Sequence, residues 1–385
     1  ISGGAAFSMS DYNGGPIDEA YLSKRLRNEP LVEITQAKGT SETHPFLSKN
    51  DEWAAFEAVT NHPGEKILTN LSGSYVRDAY LQGLTLQDQG KPNPFNFGVI
   101  GSSDTHVAGG SYTEETHFSK IGILDGEPYL RGSVPFDGIY SLIARLWQPD
   151  SILEIDEKNY LSFSPRLIRF GSSGLAGVWA EENTRESIYN AFRRKETFGT
   201  SGPRIKVRFF AGYNFENSNL NDQDLIQEAY SKNVPMGGDI IQEKGKNPRF
   251  LVWAISDPLG APLQRLQIIK GWLEDGEQRE KVFDVACSDG LSVDPITHRC
   301  PDNEALVNLD DCSISTDKGN SEIKTFWKDP EFRQDQDAFY YSRVLENPSC
   351  RWSTWDAIRE GETPRLDIPM TIQERAWSSP IWFTQ

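Results

Sequence analysis

Asp104 and His106 stand with one residue between them in the stretch FGVIGSSDTH, residues 97–106. A carboxylate oxygen and an imidazole nitrogen at this spacing can reach the same divalent ion, so the Asp-x-His pair has the makings of a metal half-site. The alternative is a surface turn in which Ser and Asp cap a loop. The preceding run, Phe97 to Gly101, is apolar or glycine throughout and reads as a buried parallel strand. The pair therefore sits at a strand's carboxyl end, the edge where α/β barrels and open α/β sheets carry their ligands.

Few other residues could complete such a site, because the chain has only five histidines. Glu33 interrupts the short apolar strand LVEI, residues 31–34, and a buried acid is costly unless it is paired or bound to a metal. His44 follows eleven positions later in SETHP. Glu33, His44, Asp104 and His106 make a mixed oxygen and nitrogen set drawn from neighbouring strand ends, suited to Zn, Mn or Fe. His117 lies in a loop close to the Asp104 cluster and is a lesser candidate. His62 in NHPG and His298 among the cysteine-bearing loops read as solvated surface residues.

The elements that must position these side chains follow an α/β grammar up to about residue 204. EAYLSKRLRN, residues 19–28, reads as a short helix. A helix is expected from Ser48 with Trp53 and Phe56 on its apolar face, and another over about 72–88, where Val76, Ala79, Tyr80 and Leu84 recur at helical spacing. Residues 134–147 carry Ile139, Leu142, Ile143 and Leu146 on one helical face. LAGVWA, 175–180, reads as a strand, and Asn183 to Glu186 has the spacing of a capping box that opens a helix to about Phe198. Beyond TSGPR the pattern changes. KVRFFAGY, RFLVWAIS, LQRLQIIKGWL, KVFDVA and FYYSRVL are strand-like and separated by turn residues, apart from a short helix in DQDLIQEAYSK. Two domains are expected, residues 1–204 and 205–385, the second an antiparallel β-sandwich-like unit.

Composition excludes some classes of partner. Fifty-six acidic against 39 basic residues leave a net charge of -17. That opposes binding to nucleic acid or to anionic lipid, both of which depend on Lys and Arg. No apolar run approaches the roughly 18 residues needed to cross a bilayer. The four cysteines, Cys287, Cys300, Cys312 and Cys350, lie in polar loops without the close pairing of a zinc site. They favour disulfides, with Cys287 to Cys300 and Cys312 to Cys350 the expected pairs, and hence a periplasmic or secreted protein.

VEI, then a histidine, then SDTH at a strand end resembles the later part of the PHP (polymerase and histidinol phosphatase) superfamily of metal-dependent hydrolases. NEPLVEITQAKGTSETHP, NPFNFGVIGSSDTH, GLAGVWAEENTRESIYNAFRRKETFGTSGPRI, VPMGGD and RAWSSPIW together resemble, more closely, the bacterial domain-of-unknown-function 3604 family. The resemblance covers nearly the whole chain. It implies a distorted seven-stranded α/β barrel holding two or three divalent ions, Zn, Mn or Fe with Ca as a further option. Glu33 would be a bridging ligand, and His44, Asp104 and His106 terminal ones.

Members of that superfamily open with a His-x-His strand, and no H-x-H occurs in these residues. The chain thus resembles the C-terminal portion of the barrel followed by the β-rich domain. An N-terminal segment of the same precursor is expected to supply the remaining strands, since a partial barrel exposes strand edges. The activity implied is hydrolysis of a small-molecule or glycan phosphate or sulfate ester by metal-activated water. His117 would protonate the leaving group, and Arg131 or Arg204 would clamp the anion. The alternative is a glycan- or ligand-binding β-sandwich protein attached to an inactive barrel.

Overall fold

The computed structural model describes residues 5–11, 13–58, 71–136, 138–147, 152–161, 167–215 and 218–385. The strand Leu31–Gln36 pairs in parallel with Gly98–Gly101, with Val32 opposite Val99 and Glu33 opposite Ile100. A two-residue strand, Gly39–Thr40, folds back antiparallel on Thr35 and Gln36 and completes a three-stranded sheet. Beyond the ladder, Ser102 N–H donates to the Thr35 carbonyl and Ala37 N–H to the Ser103 carbonyl. These bonds tie the two strand ends together just ahead of Asp104.

The expected helix at 19–28 forms as Glu19–Asn28, and Asp18 caps it by accepting the Tyr21 N–H at 2.7 Å. The second runs Val76–Asp88 and the short one Leu225–Lys232. Residues 51–58 form successive turns instead of a helix. Asp51 accepts the Trp53 N–H there and is drawn into a buried ion cluster. The cap of the Arg185–Arg193 helix is Thr184, which accepts from Ser187 N–H, and not Asn183. The helix expected over 134–147 is shorter, Ile139–Trp147, and Ile139, Leu142, Ile143 and Leu146 are all exposed on it.

Sheet dominates the fold. The largest sheet runs in spatial order Asp239–Ile241, Ile381–Thr384, Ala338–Glu346, Arg375–Ser378, Thr197–Thr200 and Leu175–Val178. Leu263–Glu274 pairs antiparallel to Ala338–Glu346, and Glu277–Cys287 pairs in turn to Leu263–Glu274. The strand expected in LAGVWA forms as Leu175–Val178 and is antiparallel to its neighbour Thr197–Thr200. A four-stranded antiparallel sheet, including Lys206–Gly212, Arg249–Ile255 and Glu322–Lys328, faces the large one. Val207, Phe209, Phe250 and Val252 meet Leu266, Ile268, Tyr340 and Phe383 in the core between them.

The other face of the large sheet is buried too. Phe339, Tyr341, Trp377 and Trp382 pack against Ala79, Tyr80 and Leu84 of the Val76–Asp88 helix and against Ile34 and Val99 of the parallel pair. Burial on both faces explains why all nine residues of Ala338–Glu346 are inaccessible. It also means that Leu175–Val178 and Thr197–Thr200 belong to the same sheet as strands beyond 260, so packing is continuous across residue 204. Where the parallel pair meets this sheet, a Cβ on Gly101 would lie 2.6 Å from the Leu175 and Thr200 carbonyls, and one on Gly199 would lie 2.7 Å from Gly101 N. Only glycine permits that approach.

The cysteines pair as expected, Cys287 with Cys300 and Cys312 with Cys350. Among the described residues no helix is long and apolar enough to cross a membrane.

Candidate functional site

Asp104 is the first residue after the strand end with an unusual backbone, a positive φ of 50°. Left-handed geometry at a residue other than glycine is sparsely populated and concentrates at functional sites, although Asp tolerates it better than most. Its Oδ1 lies 3.9 Å from His106 Nε2. Its Oδ2 is buried without an aligned hydrogen bond and is held by charge, with Lys120 Nζ at 3.2 Å and Lys38 Nζ at 3.7 Å. Lys120 Nζ is also 3.2 Å from His106 Nε2. The ammonium of a buried lysine therefore stands between the two side chains singled out as metal ligands.

Glu33 and His44 do not join them. Glu33 is exposed on its strand, so the cost of a buried acid that drew attention to it does not arise. His44 is buried against Phe46 and Tyr75, and its Nδ1 accepts the Phe46 N–H at 3.2 Å. Among the described residues no group of three or more His, Cys, Asp and Glu side chains is placed to hold one metal ion. A buried acid close by in sequence is Glu42. It is bound by Arg77 at 2.6 Å, by Arg343 at 3.0 Å and by the Tyr341 hydroxyl and Trp377 indole at 2.7 Å.

Of the three residues expected to act on substrate, His117 and Arg131 are buried and Arg204 is exposed. His117 is buried, stacked on Trp352 at 4.6 Å, and its Nδ1 has no hydrogen-bond partner. Burial, with Arg131 and Arg351 nearby, pushes its pKa down to about 3, so it stays neutral and carries no proton to give a leaving group at neutral pH. Arg131 is buried and fully engaged. It grips Asp356 through two bonds of 2.7 Å and donates to the Phe118 and Asp125 carbonyls, which makes it a brace and not an anion clamp. Arg204 is exposed, and its backbone N–H donates to Asp257 at 2.7 Å. His298 has its ring 5.2 Å from that of Phe283, and His62 lies outside the described residues.

A second polar group lines the same strand-end crevice. Thr35, Gln36, Glu57, Glu114, Ser172 and Glu374 surround a small cleft, and Gly171 N–H donates to Ala37 one residue past Gln36. Arg351 pairs with Glu57 at 3.1 Å. Glu114 accepts from Ser172 Oγ and, at 2.7 Å, from Trp352 N–H, while Ser201 Oγ donates to Glu374. Burial raises the pKa of Glu114 against the pull of Arg351, and burial followed by the nearby Glu114 raises that of Glu374 further. Burial thus disfavours the charged form of two carboxyls that lie beside the Arg351–Glu57 ion pair.

The sequence profile of the family described as "Protein of unknown function (DUF3604)" matches residues 1–385. The chain belongs to this family. No curated protein matches it. A DUF3604 chain thus presents Asp104, His106, Lys120 and Lys38 at the carboxyl end of a parallel strand pair, with a cleft lined by the buried carboxyls of Glu114 and Glu374 beside them. Lys38, Lys120 and the cleft residues escape sequence reasoning because a lone Lys or Glu in a polar loop looks like any solvated side chain.

Proposed function

We propose that this DUF3604 chain carries one side of a metal-dependent hydrolase site for phosphate or sulfate esters of small molecules or glycans. The observation that carries this reading is the Asp104 and His106 pair. Its 3.9 Å separation lies just under the roughly 4.0–4.4 Å that two bonds of about 2.0–2.2 Å to one ion can span at most, so a small approach of the two side chains would let both bind one ion. Asp104 and His106 fit a divalent ion, Zn, Mn or Fe, as two of its ligands, a carboxylate oxygen and a ring nitrogen. The chemistry such an ion supplies is activation of water near neutral pH and neutralisation of the ester's charge.

The remaining ligands belong to an upstream segment of the precursor, bearing the His-x-His strand that the PHP resemblance implies. Leu31–Gln36 supports this, because on the side facing away from Gly98–Gly101 its ladder covers only Thr35 and Gln36 among the described residues. A strand added along Leu31 to Glu33 would extend the parallel pair toward a barrel, with the face-to-face antiparallel sheets as the sandwich-like domain. The two disulfides support a periplasmic or secreted location.

The role of the chain's own residues is to hold and to bind. Asp104 and His106 fix the reacting centre, and Lys38 lends positive charge to an otherwise acidic molecule, which favours approach of an anionic ester. Glu114 and Glu374, whose carboxyl pKa values burial raises, line the adjacent cleft and suit protonation of the leaving group better than His117, whose pKa burial lowers. A glycan- or ligand-binding β-sandwich protein with an inactive barrel is the second reading, favoured by the small number of metal-competent side chains gathered here among the described residues.

Elemental analysis of the full-length protein, purified without added metal, tests the choice. The hydrolase reading expects a transition metal that Asp104→Ala loses together with hydrolysis of aryl phosphate or aryl sulfate. Equal metal content and equal turnover in the Asp104→Ala protein would reject it.

A further inference from the structure

Lys120 is built into its position. The residue is 4% exposed, and its Nζ lies 5.1 Å from the Phe170 ring centre, 3.2 Å from Asp104 Oδ2 and 3.2 Å from His106 Nε2. Its loop is wound around the carboxylate of Asp125. Asp125 Oδ2 accepts the Lys120 N–H at 2.8 Å, while Oδ1 accepts the Ile121 N–H at 2.9 Å and the Ser119 hydroxyl. The Lys120 carbonyl in turn accepts the His106 N–H at 2.7 Å. Arg131, anchored on Asp356, donates to the carbonyls of Phe118 and Asp125 at either end of this turn. Asp125, His106 and Arg131 with Asp356 thus hold one backbone so that a single ammonium points between Asp104 and His106.

An ammonium has three donors and no acceptor, so the contact with His106 is possible only through the lone pair of Nε2, with the ring proton on Nδ1. That lone pair is the one a metal ion needs, and neutral imidazole has no other at Nε2. The Asp104 carboxylate is shared in the same way. Two cations, one fixed and one diffusible, therefore compete for the same two side chains, and like charges held this close repel.

We propose that Lys120 is an intramolecular competitor for the metal, occupying Asp104 and His106 until a divalent ion displaces its ammonium. The proposal rests on the reading of Asp104 and His106 as metal ligands. Linkage makes the effect reciprocal: whatever seats Lys120 weakens the ion, and the ion unseats Lys120 by the same factor. Lys120 is on this account a positioning residue that sets the affinity threshold of the site, so that an ion binding more weakly than the ammonium is refused.

The test uses the full-length protein stripped of metal by chelation and titrated calorimetrically with Zn²⁺ and with Mn²⁺. Lys120→Met is expected to bind tenfold or more tightly than the unaltered protein, while Lys120→Arg, which keeps the charge, stays near it. In the metal-free protein, nitrogen NMR is expected to find His106 in the Nδ1–H form, and Lys120→Met to relax that preference. A folded Lys120→Met protein with unchanged or weaker affinity overturns the proposal, as does a metal-free His106 protonated on Nε2 alone. If Lys120→Met does not fold, Lys120→Gln replaces it, with tighter binding expected and unchanged binding refuting. Asp104→Ala separates the two levels. If it binds metal as tightly as the unaltered protein, the metal reading of this edge fails; if it loses metal while Lys120→Met is unchanged, only the competitor role fails.

Discussion

Arg343 holds Glu42 across 301 residues of sequence, with Nη1 3.0 Å from Oε1 and 3.1 Å from Oε2. Asp51 and Arg77 close the group, Arg343 Nη2 reaching Asp51 Oδ1 and Arg77 Nη2 reaching Asp51 Oδ2, both at 2.8 Å. The cluster joins the turn at 51, the Val76–Asp88 helix and the central strand of the large sheet. Burial pushes Glu42 up, but the guanidiniums of Arg343 and Arg77 outweigh it and hold the carboxyl below its ordinary range. Its contribution to stability is therefore present above the unfolded value of about 4.3 and is lost as pH falls through the lower folded value. Glu42→Gln is expected to cost about 3–5 kcal/mol at pH 7, because it leaves buried guanidinium charge uncompensated. Urea unfolding at pH 7 and at pH 3 checks this, with a smaller difference expected in acid.

Glu374 has the opposite pH dependence. Burial first, then the charge of Glu114, raises its pKa well above the ordinary value, against the Ser201 hydroxyl bond. A carboxyl of this kind stabilises fully below its unfolded pKa of about 4.3, and the contribution is lost as pH rises through the folded value. Glu374→Gln keeps the shape without the ionisation. Thermal unfolding from pH 5 to pH 9 should show little difference at the acid end and an increasingly more stable variant toward the alkaline end. A difference that stays constant with pH would count against a proton held on Glu374.

His117 should not titrate between pH 5 and pH 8. Burial, Arg131 and Arg351 bring its pKa to about 3, whereas the unfolded chain takes the proton near 6.5. Its contribution to stability is therefore lost as pH falls from about 6.5 toward 3. Imidazole proton shifts, followed by NMR through that range, are expected to be flat for His117. His117→Phe, which keeps the stack on Trp352, should gain stability relative to the unaltered protein at pH 5 compared with pH 7.

The two disulfides close segments with sequence separations of 13 and 38. Chain-entropy reasoning assigns each on the order of 3–4 kcal/mol. Mass spectrometry of the unreduced protein after alkylation should find no modified cysteine. Reduction should lower the denaturation midpoint, and more so for loss of Cys312–Cys350 than for loss of Cys287–Cys300.

Local pattern determined a good deal of this protein. The apolar runs around Leu31 to Ile34 and Gly98–Gly101 mark strands, and these pair in parallel, although Glu33 leaves the first exposed on one face. The helix at Glu19–Asn28, the antiparallel strands beyond 205, the cysteine pairing and the closeness of Asp104 to His106 were also legible, because each depends on neighbours in sequence. Tertiary structure alone decided the rest. Residues 175–200 join a sheet built mostly from the last 125 residues, because two-sided burial of Ala338–Glu346 needs partners from both halves of the chain. Lys120 comes between Asp104 and His106 because Asp125 winds its loop and Asp356, 225 residues from Arg131, holds the brace. Periodicity records which way a side chain faces within its own element. Which charge meets it there depends on a partner whose distance in sequence carries no local signal.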